Sequence, residues 1–128
     1  VTWQRAPVAA ALVQLLEPLD ATVTVFGAPP LTFAPPALIV WYPTLVQYSG
    51  FAYQVDLVTL PIMCAAGLGE WDRVDELAAM VRGAVDTADP QLGGSVAVAR
   101  AYQQSETRIV SVAGADVLAA NVILEIRK

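Results

Sequence analysis

The sequence predicts an α+β fold: a single domain, residues 1–128, with two α-helices packed on one mixed or antiparallel β-sheet in the order α-β-β-β-α-β-β-β. Three observations carry this. The chain has 128 residues, 56% of them hydrophobic, enough for one core of domain size. Two segments repeat apolar residues at helical spacing, and several others alternate or run apolar over strand lengths. The helices are separated by runs of antiparallel strands, which implies an α+β sandwich with both helices on one sheet.

The first helix is predicted around Pro7, whose missing N–H costs nothing in a first turn. Val8, Ala11, Leu12, Leu15, Leu16 and Leu19 then form one stripe, and Pro18 ends it. "ATVTVF", residues 21–26, alternates Val with Thr and reads as a strand. "GAPPLTFAPP" is expected to be an ordered, extended connector, because paired prolines stiffen the chain. "ALIVWY" is a buried strand stopped by Pro43, and "TLVQYSG" is expected to be a turn or loop tip.

"FAYQVDLVTLPIMC" is a long strand whose apolar parity changes, from Tyr53, Val55 and Leu57 to Val58, Leu60 and Ile62. That change predicts a bulge near residues 59–61 or a strand covered on both faces. The second helix places Trp71, Val74, Leu77, Ala78, Val81 and Val85 on one face, with Glu70 and Asp72 in its first turn, where acids complement the dipole. "DTADPQLGG" breaks it. Three strands close the chain: "SVAVARAYQQ", "TRIVSV" and, after the turn "AGAD", "VLAANVILEIRK". In the last, Leu118, Ala120, Val122, Leu124 and Ile126 alternate with Asn121, Glu125 and Arg127, which predicts one core face and one wet face.

The charge distribution raises a separate question. Residues 28–53 carry no charge, and across 21–69 the only charged side chain is Asp56, although the chain has a formal net charge of −5. Charged residues are 15% of the chain, against about 25% in an average domain. Mean hydropathy is +0.55. A membrane span needs about 20 apolar residues in a row. Residues 37–46 are boxed in by prolines, and 57–68 contain Pro61, so no span is expected. The start shows no basic region ahead of an apolar stretch, so no signal peptide is expected either. Burial in an assembly is the remaining explanation.

Several chemistries are excluded by composition. The chain has no His, which removes the commonest general base and metal ligand. With one cysteine, Cys64, it can form neither an intrachain disulfide nor a thiolate metal cluster, and Cys64 is expected to be a buried structural thiol. The only lysine is Lys128, so there is no P-loop. A pI near 4.4 and scattered arginines argue against a surface that grips nucleic acid.

Three weaker signals have plainer readings. Gly67-Leu68-Gly69 resembles part of a dinucleotide fingerprint, but Asp72 stands where its third glycine belongs, so a tight strand-to-helix turn is expected. Asp72, Asp75 and Glu76 share a helix face and can suggest a cation site, but such faces are usually solvated. Glu106 and Asp116 lie beside turns and have only their charge to recommend them as a catalytic pair. No enzyme, cofactor or metal site is expected.

The layout as a whole resembles a known family. "ALVQLLEPL" precedes a short strand, "PPALIVWYP" follows a Pro-rich run, and then come the long strand "YQVDLVTLPIM", the helix "WDRVDELAAMVRGAVD" and the closing "VLAANVILEIRK". This order, over nearly the whole chain, is similar to that of the tail terminator (tail completion) proteins of long-tailed bacteriophages. The long "GAPPLTFAPP" connector departs from it.

The resemblance implies a structural ring, usually a hexamer, that caps the finished tail tube and docks to the head connector. Such a ring is assembled in the host bacterial cytoplasm and carried in the virion. Its partners are further copies of itself, the tail tube protein and a head–tail connector or stopper protein, with DNA passing through without specific binding. Val46, Tyr48 and Phe51 are the expected assembly contacts, because they follow a strand end without charged neighbours. Arg100, Arg108 and Arg127 are the residues expected to line the lumen. Two alternatives stand beside this reading. One is another connector, stopper or minor tail role. The other is a small-ligand-binding module built on Trp41, Tyr42, Phe51 and Tyr53.

Overall fold

The computed structural model describes residues 5–49, 54–88, 97–103 and 106–127. Helix α1 covers Arg5–Leu16, with Pro7 in its first turn as expected, and a 3-10 turn at Glu17–Leu19 takes in Pro18. Strands β1 (Thr24–Phe26), β2 (Ala37–Val40), β3 (Leu45–Ser49) and β4 (Gln54–Ala66) follow. Helix α2 spans Trp71–Ala88, and β5 (Ala97–Gln103), β6 (Arg108–Val112) and β7 (Ala115–Arg127) complete the described chain. The fold is α+β, with one strand more than the sequence suggested. That strand is β3, whose residues were expected to form a loop tip.

The sheet is organised around its two long strands. β4 and β7 pair antiparallel from Leu57↔Arg127 to Ala66↔Leu118 without a register break. β7 takes one edge of β4, so β2 and β3 share the other, pairing with 62–65 and 54–59 respectively. β5 and β6 likewise share the outer edge of β7. β1 adds a short parallel rung outside β2, which makes the sheet mixed.

Two bulges bend the end of the sheet where β4 begins. Gln47 pairs with Leu57 but Tyr48 pairs with Val55, so Asp56 is the extra residue on β4. This accounts for the change of parity in the sequence, since one extra residue exchanges the faces. The bulge sits ahead of Val58, not at residues 59–61. On β5, Ala99 is skipped in the same way, between the pairs Val98↔Ile126 and Arg100↔Glu125.

Both helices lie on one face. Val8, Ala9, Leu12 and Leu16 of α1 and Leu77, Ala78, Val81 and Val85 of α2 pack on Leu38, Leu60, Ile62, Cys64, Val122 and Leu124 of the sheet. Val74 completes the α2 stripe against Ala66, Leu118 and Ala120. Leu19 and Trp71, assigned to the stripes by spacing, are exposed instead. Leu19 ends the 3-10 turn after α1, and Trp71 is the first residue of α2.

The other face is apolar as well, which corrects the expectation of a wet side to β7. Val117, Ala119 and Ile123 are buried there. Ile39 and Ala65 pack with Val112 and Val117 under Phe26, Phe33 and Trp41. The Phe26 and Phe33 rings meet edge to face, centroids 6.4 Å apart at 77°. The Pro-rich connector therefore folds back over the sheet. It bends instead of running extended, and the Pro35–Pro36 bond is cis.

The tight turns follow from backbone chemistry. Ala113 (φ 52°) and Gly114 (φ 79°) form the two-residue loop between Val112 and Ala115, the geometry that suits the twist of a hairpin. Gly69 (φ 88°) and the bond from Glu70 N–H to the Gly67 carbonyl (3.1 Å) make the turn from β4 into α2. The glycines of "GLG" thus serve a strand-to-helix turn.

Candidate assembly surface

The expected contact residues fall as follows. Val46 and Tyr48 lie on β3, a strand paired with β4, and Phe51 lies outside the described residues, as does Tyr53. The expected lumen arginines do not form one group. Arg100 pairs in register with Glu125 and Arg127 with Ala97, so both belong to the same end of the sheet. Arg108 pairs with Ala119 and is exposed. Eight residues of β7 separate Ala119 from Arg127, about 27 Å at a strand's rise. The reason is topological: β5 and β6 lie end to end along β7, so their arginines cannot converge.

The apolar groups on the outside are ones that sequence spacing did not identify. Leu31 is 94% exposed on the connector, Ile109 63% on β6, and Tyr42 56% between β2 and β3. Leu68 (57%) and Trp71 (52%) flank the turn into α2. Scattered apolar residues are normal on a surface, and these are the large ones exposed among the described residues. Trp71 opens an open depression continued by Gly69, Glu70, Asp72, Arg73 and Glu76. Of the residues named for a ligand module, Trp41 packs against the second core, and Tyr42 lies over the Arg5 guanidinium, 4.9 Å from ring centroid to Cζ. A small hollow of ≈20 Å³ beside Met63, Arg108, Val110 and Asn121 is water-sized.

The described ion pairs centre on Arg73 and Asp20. Arg73 reaches from α2 to Asp20, with Nη2–Oδ2 at 2.9 Å, and to Glu76, with Nη1–Oε2 at 3.0 Å. Thr22 donates to Asp20 Oδ1 from its amide (2.9 Å) and its hydroxyl (2.6 Å). These hydrogen bonds, the Thr22 hydroxyl first and Arg73 next, hold the Asp20 carboxyl down at about 2. Glu76 is thus drawn to Arg73, while Asp72 and Asp75 are exposed, and no group of three or more potential metal ligands forms among the described residues. Glu106 and Asp116 sit at opposite ends of the β6–β7 hairpin, so they do not make a catalytic pair. Cys64 is fully buried, and burial pushes its thiol up to about 12.

No helix among the described residues is long and apolar enough to cross a membrane. No protein-family model matches the chain, and no curated protein matches it in sequence.

Proposed function

We propose that the chain is a structural virion protein of the tail-terminator kind. In this reading it is a subunit of a homo-oligomeric ring, taken as a hexamer, that caps a phage tail tube and joins it to the head connector. It is assembled in the host cytoplasm, and it is not an enzyme. The observation that carries this is the apolar surface left over after both faces of the sheet have their cores: Ile109, Tyr42, Leu68 and Trp71 stay outside. A ring subunit has neighbours on two flanks and other rings above and below, so it can cover more apolar surface than a monomer tolerates.

The low charge agrees with such a role. A basic lumen holds phosphates, whereas a neutral or acidic one lets DNA slide. Separation of Arg108 from Arg100 and Arg127 supports passive passage, because within one subunit the cations are not concentrated. A connector, stopper or minor tail position rests on the same observation and differs only in the level occupied in the particle.

Electron microscopy of the purified protein tests the proposal, with closed rings around an axial channel as the expected result. A field of single subunits at every concentration would sink it. For DNA, no mobility shift of duplex is expected at physiological salt. A shift that survives moderate salt and disappears with Arg100→Ala or Arg108→Ala would replace the passive channel by a gripping one.

A further inference from the structure

Successive carbonyls of a strand point to opposite sides, so one side chain cannot ordinarily serve two in a row. Arg5 does. Its Nη2 lies 2.7 Å from the Val40 carbonyl oxygen and 3.2 Å from that of Trp41, and it also reaches the Gly27 carbonyl at 2.7 Å. Nε approaches the Trp41 oxygen at 3.4 Å. Trp41 has therefore turned its carbonyl out of the β2–β4 ladder.

The cause lies across that ladder. The Trp41 N–H donates to the Pro61 carbonyl at 3.0 Å. In an antiparallel pair of this type the return bond comes from the N–H of the opposite residue, and proline has none. Arg5 supplies the donor that Pro61 lacks. The same guanidinium closes the end of β1 at Gly27 and carries the Tyr42 ring.

We infer that Arg5 is a latch through which the first turn of α1 fixes the corner between β2 and β3. The order of that corner and of β3 then depends on the Arg5 contacts, which reach Gly27, Val40, Trp41 and Tyr42, whereas the body formed by β4, β7 and α2 is held by the shared core. Among the described residues the corner has few other backbone ties. Residues 41–44 belong to no strand, and backbone bonds run from Trp41 to Pro61 and from Thr44 to Thr59. The inference stands on this geometry alone and not on the ring reading. Where both hold, docking of α1 governs how β3, with Val46 and Tyr48, is presented to a neighbouring copy.

Amide hydrogen exchange on the full chain tests the latch. In Arg5→Ala, the Thr44 and β3 amides are expected to exchange on the order of ten-fold faster, the effect of losing a charge-assisted bond, with 118–124 of β7 and 74–85 of α2 little changed. Arg5→Lys keeps the charge without the fork, so it loosens the same amides less. Pro61→Val restores an N–H to the ladder. In that background Arg5→Ala is expected to lose most of its effect on the corner. If Arg5→Ala does not fold, Arg5→Lys with and without Pro61→Val makes the same comparison. A uniform rise in exchange over the molecule, no rise at the corner, or an undiminished effect in the Pro61→Val background would each overturn the latch.

Discussion

The two faces of the sheet are closed by different means. On one, aliphatic stripes of α1 and α2 meet aliphatic strand residues, and the fit is periodic on both sides. On the other, two phenylalanines and a tryptophan pack against Ile39, Ala65, Val112 and Val117 of the sheet, with no period in the residues that do the covering. Periodic packing spreads its stabilisation over many equivalent contacts. Irregular packing concentrates it in a few aromatic rings and depends on how the connector and hairpin are held.

Substitutions on each face sharpen or break that contrast. Leu60→Ala, under both helices, is expected to cost about 2–5 kcal/mol of unfolding free energy through a cavity in a closely packed site. Phe33→Ala should cost less, about 1–2 kcal/mol, because its ring is only partly buried and its edge-to-face contact adds a modest amount. Urea denaturation measures both. Equal losses would show that the connector is as much a part of the core as the helices.

A smaller effect, of opposite sign, is expected at the hairpin. Ala113 holds φ 52°, a conformation that alanine resists and asparagine tolerates. Ala113→Asn creates Asn-Gly in the turn and should raise stability by about 0.5–1 kcal/mol, read as a higher urea midpoint with unchanged slope.

The smallest effect belongs to the Asp20–Arg73 tie, which is partly exposed and screened by solvent. The Asp20 carboxyl is held at about 2, below its ordinary 3.8. Its contribution is therefore fully present above the ordinary value and disappears as pH falls through the lowered one. Asp20→Asn should flatten the acid limb of a stability–pH profile between those values and change little near neutrality. An unaltered acid limb would show that the tie is not maintained in solution.

What could be read from the sequence follows the same division. The α2 stripe from Val74 to Val85 and the even positions of β7 were legible, because helix and strand periods survive when one face meets one core. Burial of Val117 was not, since the irregular cover over it leaves no pattern of its own, and Ala119 and Ile123 are buried on the same face. β3 resembled a loop because it follows Pro43 and shows no clear alternation, and its partner on β4 carries the Asp56 bulge. At the surface, Arg5 and Asp20 gave no local signal: their partners are Trp41 and Arg73, far along the chain. Arg100, Arg108 and Arg127 looked alike in sequence, and only the end-to-end placement of β5 and β6 separates them.

The most direct test of the ring reading is the mass of the protein in solution, measured by sedimentation equilibrium across concentrations and repeated for Ile109→Asp and Trp71→Asp. Both side chains are largely exposed, so a charge there should leave the fold and its far-ultraviolet spectrum intact. A charge buried without a partner is costly, so either substitution should weaken an interface that covers the position. A closed species several times the 13.5 kDa of one chain is expected, reduced towards that value in at least one of the variants. A wild-type mass of one chain at every concentration would contradict it.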